Sequence, residues 1–263
     1  MIHARRASTV AAVLALATTV GACGSDGPDA PAAPAATAVT TISDDHTGDP
    51  PPDPGTAAPD VESAAAATVS VLAEGCGPRT RFGVGTVVAD GAIVTVAHVV
   101  AGSDTVSVVG PDGRTVSVEV VAFDPDLDVA VLRSDESIGT PLSVAATATV
   151  TSGTGIVLLP RLGASTGEVG ALEVEVARRV TIRTTDIYRT DELERSGVEV
   201  VATVERGDSG AMVHTSDGSA GIIWARSSER IDRAWAVTLP AAVVDPSALA
   251  ELVAPVDVQR CVD

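Results

Sequence analysis

The sequence predicts an all-β fold, and three observations lead to that prediction. Short runs rich in β-branched residues recur along the chain, as in Thr105–Val109. Turn signals separate these runs, including Asp90-Gly91 and Pro111-Asp112-Gly113. Hydrophobic residues make up 45% of the 263 residues, which is enough for one sizeable two-barrel domain or two small ones.

The predicted strands fall into two groups. The first group comprises Thr68–Leu72, Gly85–Val88, Ala92–Ala97, Thr105–Val109, Thr115–Ala122 and Asp128–Leu132. The second group comprises Ala148–Val150, Gly155–Leu159, Gly167–Val180, Val198–Val204, Ala211–His214, Gly221–Ala225 and Arg233–Leu239. A short terminal helix over Ala248–Val253 follows, with Asp245 as its N-cap and Pro246 in its first turn.

The N-terminal residues 1–22 have the layout of a secretory signal. A basic start, Met1–Arg6, precedes an apolar run from about Ala7 to Ala22 that is short for a membrane span. Val20-Gly21-Ala22-Cys23 then resembles a bacterial lipobox, in which the cysteine is lipidated. We therefore expect an exported lipoprotein that is anchored in the cell membrane through Cys23 and faces the extracytoplasmic side.

Residues 23–66 are rich in Pro, Ala, Thr, Gly and Asp and have almost no large apolar side chains. Such a segment cannot bury enough surface to offset the entropy of ordering it, so we expect an extended, mobile tether. The folded domain is then predicted to occupy residues 67–263.

The charge and the cysteines limit the partners and the compartment. The chain carries 35 Asp and Glu against 17 Lys and Arg, a net charge of -18, which argues against nucleic acid as a partner. It has three cysteines. Because Cys23 is assigned to lipid, Cys76 and Cys261 are expected to form a disulfide; two unpaired buried thiols are the alternative.

The segment Glu205–Ala211 supplies the candidate nucleophile, Ser209. Flanking glycines allow a tight turn that presents the hydroxyl and directs nearby amides toward one point, as acyl transfer requires. His98 is the candidate base, because the other histidines lie in the signal, the tether or directly beyond the serine: His3, His46 and His214. Asp128 begins an apolar run, where a carboxylate is costly unless it has a partner such as the base.

Three motifs in this order resemble the signature blocks of the trypsin-like (chymotrypsin-fold) serine peptidases. They are Thr95-Val96-Ala97-His98, Asp128-Val129-Ala130-Val131-Leu132 and Gly207-Asp208-Ser209-Gly210. The gap of about thirty residues from His98 to Asp128 is similar to that of the bacterial HtrA/Deg-type branch, although no PDZ-like segment follows here. The resemblance implies two six-stranded antiparallel β-barrels, the first with His98 and Asp128 and the second with Ser209, and a short C-terminal helix.

The resemblance also implies roles for individual residues. His98, Asp128 and Ser209 would form the triad, and the amides of Gly207 and Ser209 would bind the oxyanion of a peptide or protein substrate. Neither a metal nor an organic cofactor is required. Thr203 would lie at the base of the specificity pocket, with Trp224, Ala225 and Arg226 in its wall. An uncharged base argues against Lys or Arg at the cleavage site.

One departure from the family pattern leaves alternatives open. The family usually has glycine directly after Gly-Asp-Ser-Gly, whereas this chain has Ala211. One alternative is therefore a catalytically silent lipoprotein of the same fold that binds a peptide or an envelope partner. The other is an unrelated β-rich binding lipoprotein in which the three motifs are accidental.

Overall fold

The computed structural model describes residues 60–144, 150, 152–160 and 168–262. The predicted signal, Cys23, nearly all of the predicted tether, and Ala148 and Gly167 at the starts of two predicted strands lie outside these residues. Within the described ranges, no helix is long and apolar enough to cross a membrane.

The first half of the described chain forms a closed, antiparallel six-stranded barrel in the order β1-β2-β3-β6-β5-β4. Its strands are β1 (Thr68–Gly75), β2 (Gly77–Ala89), β3 (Ala92–Thr95), β4 (Thr105–Val109), β5 (Thr115–Asp124) and β6 (Val129–Arg133). Alternating buried and exposed residues along β5 show how one face of each strand supplies the interior. That interior is built from Val, Ile, Leu and Ala side chains, including Ile93 and Leu132.

The second half forms another closed, antiparallel barrel, in the order β10-β11-β12-β9-β8-β7. Its strands are β7 (Gly153–Pro160), β8 (Val169–Thr185), β9 (Glu192–Val201), β10 (Met212–Thr215), β11 (Gly218–Arg226) and β12 (Arg233–Val237). The predicted all-β architecture of two six-stranded barrels is therefore confirmed.

The described residues include four short helical segments: α1 (Val61–Ala67), α2 (Ala97–Val100), a 3-10 turn (Ala241–Val243) and α3 (Pro246–Glu251). Helix α3 confirms the predicted C-terminal helix with Asp245 as its cap and Pro246 in its first turn, although it ends at Glu251 instead of Val253. The Asp245 carboxylate accepts hydrogen bonds from the amides of Ser247 and Ala248, and Pro246 occupies the first turn.

Helix α1 corrects the predicted boundary of the tether, because Val61–Ala67 is helical rather than extended. Asp60 caps the helix by accepting a hydrogen bond from the Ser63 amide. The buried side chain of Ala64 belongs to a small apolar cluster with Ile156 and Leu158. The composition of this segment predicts no core, because its alanine side chains are small. Alanine is nevertheless the best helix former, and its small side chain fits where the helix packs closely on its neighbours.

The strand bounds differ from the prediction at two places that matter for the site. Strand β3 ends at Thr95 instead of Ala97, so that His98 lies on α2. Strands β8 and β9 extend beyond the predicted apolar segments into a ribbon whose exposed positions are polar or charged. Arg183 and Glu194 face each other there, with 3.0 Å between Arg183 Nε and Glu194 Oε1. Because such polar cross-strand pairs interrupt the run of apolar residues, a prediction based on apolar runs ends these strands too early.

Candidate active site

His98 lies on α2, a single helical turn between β3 and β4. The other three residues of the turn are buried and anchor it to the first barrel: Ala97, Val99 and Val100. His98 itself remains partly exposed. The guanidinium of Arg81 donates a hydrogen bond of 3.1 Å to the His98 carbonyl and a second bond to the carbonyl of Ala101. The imidazole is thus presented at the surface from a fixed backbone.

Asp128 lies directly before β6 and holds His98 through both of its carboxylate oxygens. Its Oδ1 accepts a hydrogen bond of 2.8 Å from the His98 amide, and its Oδ2 is 2.7 Å from Nδ1 of the ring. The residue is only 2% exposed and has a φ of 59°, a left-handed conformation that costs most side chains free energy. This geometry favours the tautomer with a proton on Nδ1 and leaves Nε2 as the acceptor.

The charge state of Asp128 follows from opposing effects. Burial acts to raise the pKa of its carboxyl, but the charge and the hydrogen bond of His98 lower it, and the charge of Arg195 lowers it further. The balance places the pKa of Asp128 below its usual range. Asp128 is therefore an ionised carboxylate that can stabilise a protonated imidazole.

Ser209 lies on the turn between β9 and β10, and Gly210 allows this turn to pack closely on the first barrel. The Ser209 carbonyl accepts a hydrogen bond of 2.8 Å from the Val84 amide. A Cβ on Gly210, whose φ is 92°, would lie 2.0 Å from the Val84 carbonyl oxygen and 2.7 Å from Thr95 Oγ1. The second glycine of Gly-Asp-Ser-Gly is therefore required for both its conformation and its space.

Gly83 shows that the serine turn and the histidine helix lie side by side. A Cβ at this position would be 3.0 Å from the Ser209 carbonyl oxygen and 2.8 Å from Cγ2 of Val99, the residue after His98. Among the described residues, no hydrogen bond joins the Ser209 hydroxyl to the His98 ring. Such bonds are often long or misaligned without substrate, so the observed arrangement is compatible with a nucleophile and its base.

The two amides predicted to form the oxyanion hole have no acceptor in the part of the chain that the structure describes. They belong to Gly207 and Ser209. Their neighbours are occupied: the amides of Asp208, Gly210 and Ala211 donate to the carbonyls of Glu205, Ile223 and Asp208, respectively. Gly207 has a φ of 106°, which only glycine adopts readily. Two unpaired donors on one turn are suited to binding an oxyanion.

Ala211, the departure from the family pattern, fits the structure without strain. It is fully buried and is not one of the residues with positive φ. Its amide donates to the Asp208 carbonyl at 3.1 Å, and its carbonyl accepts from the Ile223 amide at 2.8 Å. An alanine therefore replaces the usual glycine here without distorting the serine turn.

The residues predicted to line the specificity pocket lie on two adjoining segments. Thr203 is exposed on the segment after β9, and Arg226 is exposed at the end of β11. Nη1 of Arg226 donates a hydrogen bond of 3.4 Å to the carbonyl of Val204, next to Thr203. Ala225 and Trp224 are half-buried, and the Trp224 ring lies 4.6 Å from the guanidinium carbon of Arg195.

Arg195, on β9, is a residue that sequence reasoning missed. Its side chain is buried, and it donates to the carbonyls of Pro125 and Asp126, three and two residues before Asp128. In the sequence it stands among exposed charged residues of β9, so no local signal separates it from a solvated arginine. The strand alternation that buries Arg195 becomes visible only when the pairing of β9 with β8 is known.

His214 is a buried core residue, as expected for a histidine on the strand after the serine. It is 6% exposed, and its ring Nε2 has no hydrogen-bond partner among the described residues. Burial lowers the pKa of His214 to about 4. The ring is therefore neutral at physiological pH and takes no part in the arrangement of His98, Asp128 and Ser209.

The burial of His214 predicts a loss of stability in mild acid. The unfolded chain takes up a proton near pH 6.5, whereas the folded chain does so only near pH 4, so that unfolding becomes more favourable as the pH falls. Between pH 7 and pH 5 this amounts to about 2 kcal/mol. We expect His214→Gln to lose less free energy of unfolding over this interval in urea titrations. Equal losses in both proteins would contradict the assignment.

The predicted disulfide between Cys76 and Cys261 is present and closes a sequence separation of 185 residues. It holds the C-terminal segment beside the residues that follow α2, where the Gly102 amide donates a hydrogen bond of 2.8 Å to the Val258 carbonyl. The disulfide therefore ties the C-terminal segment to the residues directly after α2, the helix that carries His98.

Removing this disulfide is expected to lower the free energy of unfolding by up to about 5 kcal/mol, because a long closed loop restricts the unfolded chain. The comparison is between wild type and the Cys76→Ser/Cys261→Ser double variant in urea. The same fall is expected when the wild type is reduced, whereas reduction should not affect the variant. A double variant with an unchanged unfolding midpoint would contradict this prediction.

Comparisons with known proteins identify the family of this chain. A family model described as a trypsin-like peptidase domain matches residues 83–220, just over half of the chain, and this range includes His98, Asp128 and Ser209. The serine protease Rv3671c of Mycobacterium tuberculosis (strain H37Rv) is 30% identical over 158 residues, which cover 59% of this chain and 39% of the relative. The chain thus spans about two fifths of the length of the curated relatives that it matches.

Solved structures show the same architecture. The crystal structure of the active form of the Rv3671c protease from M. tuberculosis has a TM-score of 0.66 at 26% identity, covering 79% of this chain and 94% of that chain. The HtrA-type protease AlgW with a tripeptide shares the fold at a TM-score of 0.54 and 17% identity, covering 71% of this chain and 63% of that chain. These matches confirm the predicted family: the chain belongs to the trypsin-like peptidases.

Proposed function

We propose that this chain is an exported serine endopeptidase that hydrolyses peptide bonds through the triad His98, Asp128 and Ser209. The observation that carries the proposal is a pair of hydrogen bonds beside the glycine-flanked Ser209. In this pair the buried Asp128 carboxylate accepts from the backbone amide and from the ring Nδ1 of His98. The family match supports a protease, and the substrate is a peptide or a protein.

The proposed reaction proceeds through an acyl-enzyme. Ser209 Oγ attacks the carbonyl carbon of the scissile bond while its proton passes to Nε2 of His98. The resulting oxyanion is bound by the amides of Gly207 and Ser209. The carbon–nitrogen bond then breaks, His98 returns the proton to the leaving amine, and the acyl group remains as an ester on Ser209. Water, activated by the same imidazole, hydrolyses this ester and restores the free serine.

The proposal is tested with an unfolded protein substrate such as casein. We expect the full chain to generate new N-termini that mass spectrometry identifies, and the Ser209→Ala variant to generate none. A folded wild-type protein that binds casein without cleaving it would instead support the catalytically silent alternative. Ala211 was the support for that alternative, and its ordinary backbone conformation removes the support.

The position of Thr203 beside Arg226 suggests the cleavage preference. An uncharged residue at the base and a cation at the wall give no partner for a basic side chain, so we expect small or medium apolar residues before the cleaved bond. A peptide library read by mass spectrometry measures this preference. If Lys or Arg dominated at that position, the assignment of Thr203 and Arg226 to the pocket would be wrong.

Attachment to the membrane through Cys23 belongs to the same proposal and rests on the lipobox-like Val20-Gly21-Ala22-Cys23. Expression in a bacterial host with radiolabelled palmitate should label the wild type and leave Cys23→Ser unlabelled. Recovery of the wild type in the membrane fraction and of Cys23→Ser in the soluble fraction would accompany this result. Equal labelling of the two proteins would exclude Cys23 as the attachment point.

A further inference from the structure

Arg195 extends from β9 to the segment that precedes Asp128. It is only 2% exposed. Its Nε donates a hydrogen bond of 2.6 Å to the Asp126 carbonyl, and its Nη2 lies 3.3 Å from the carbonyl of Pro125 and 3.3 Å from that of Thr185. The guanidinium therefore joins the β8–β9 ribbon of the second barrel to two consecutive residues just before the carboxylate that binds His98.

The segment needs this support because its backbone is unusual. Asp128 has a φ of 59°, although it is not a glycine. Two other contacts hold the segment: Asp124 Oδ1 accepts from the amides of Asp126 and Leu127, and the Ile187 amide donates to the Pro125 carbonyl at 3.2 Å. The Asp126 carbonyl, however, is held by Arg195. A loss of this contact would release the backbone two residues before Asp128.

The charge of Arg195 lies among four carboxylates, those of Asp124, Asp126, Asp128 and Asp186. Burial lowers the pKa of Arg195, and these carboxylates oppose the shift, so that the side chain stays protonated. Among the described residues, the guanidinium makes no hydrogen bond to any of the four. Its effect on Asp128 is therefore through space, and its Cζ lies over the Trp224 ring, 4.6 Å from the ring centroid.

We infer that Arg195 is a positioning residue of the active site: it fixes the backbone before Asp128, so that both carboxylate oxygens meet His98, and it holds Trp224 beside the same site. The inference rests on the proposed peptidase function. Among the described residues, Arg195 makes no hydrogen bond to Ser209 or His98, so it acts through Asp128 and Trp224.

The test compares Arg195→Met, which removes the charge and the donors, with Arg195→Lys, which keeps the charge. A displaced carboxylate should lower kcat/KM of Arg195→Met about 10- to 100-fold. This loss should appear in kcat, because a misplaced Asp128 no longer orients the His98 ring to accept the Ser209 proton. Arg195→Lys should lose less activity, because it keeps the positive charge.

Arg233→Met is the matched control for folding. Arg233 is a partly buried arginine of the second barrel that pairs with Glu199 and Asp232, and among the described residues its side chain makes no hydrogen bond or ion pair with His98, Asp128 or Ser209. We expect it to lower the melting temperature but to leave kcat and KM unchanged. An unchanged kcat of Arg195→Met in folded protein would overturn the inference.

A readout that does not depend on turnover separates this inference from the proposed function. In the Ser209→Ala background, the proton between His98 Nδ1 and Asp128 is observed by NMR at low field. Arg195→Met should shift or broaden this resonance, whereas Arg233→Met should leave it in place. An inactive wild type would refute the peptidase function but not the positioning role. A resonance unaffected by Arg195→Met in folded protein would refute the positioning role alone.

Discussion

Replacing either Ser209 or His98 by alanine is expected to lower kcat for peptide hydrolysis by about a millionfold. In the proposed mechanism Ser209 supplies the oxygen that forms the acyl-enzyme and His98 accepts its proton, so neither residue is useful without the other. The Ser209→Ala/His98→Ala double variant is therefore expected to lose no more than each single variant. Initial rates with a fluorogenic peptide at saturating concentration measure these losses.

Ser117→Ala provides the control for this series, because Ser117 is an exposed serine on β5, outside the site. It is expected to retain wild-type rates. If Ser209→Ala kept more than about one hundredth of the wild-type activity, Ser209 would not be the nucleophile. If the double variant lost far more activity than the single variants, the two residues would not act as one unit, because the losses of residues that act together do not add.

Asp128→Asn is expected to lower kcat about ten-thousandfold while the fold is retained. The amide oxygen of asparagine can still accept from the His98 backbone amide, as Asp128 Oδ1 does at 2.8 Å. Its NH₂ group, however, would face Nδ1 of the ring and favour the tautomer with a proton on Nε2. That tautomer cannot take the proton of Ser209. Rates with the same fluorogenic peptide and the circular dichroism of the variant test both parts.

Asp135→Asn makes the same chemical change at an exposed position beyond β6. It should behave as the wild type in rate and in melting temperature. If Asp128→Asn were as active as Asp135→Asn, the contact between Asp128 and His98 would have no part in the reaction, and the proposed triad would be wrong.

The strands and the candidate residues could be predicted because their signals are local. Asp128 is a carboxylate in an apolar run, and its burial requires a partner, which the structure shows to be His98. The glycines around Ser209 predict a tight turn, and the contact of Gly210 with Val84 explains why no Cβ is possible there. The arrangement of the strands as two barrels and of the three residues as a triad, in contrast, was implied by the resemblance of their motifs to the trypsin-like peptidases.

The features that were missed depend on partners distant in sequence. Arg195 is buried because β9 pairs with β8 and because the carbonyls of Pro125 and Asp126 lie nearby. Neither contact can be predicted from the residues next to Arg195 in the sequence. Helix α1 was assigned to the tether because its alanines are small, although Ala64 packs on Ile156 and Leu158. Long-range packing therefore decided both cases, against the expectation from composition.

The presence of an activated nucleophile is tested by labelling the full chain with a fluorophosphonate, which reacts covalently with such a serine. We expect one labelled residue, Ser209, and loss of labelling in both Ser209→Ala and His98→Ala. Failure of the wild type to label, in folded protein with the Cys76–Cys261 disulfide closed, would contradict a working nucleophile and base. Labelling that persisted in Ser209→Ala would show that another residue is the nucleophile.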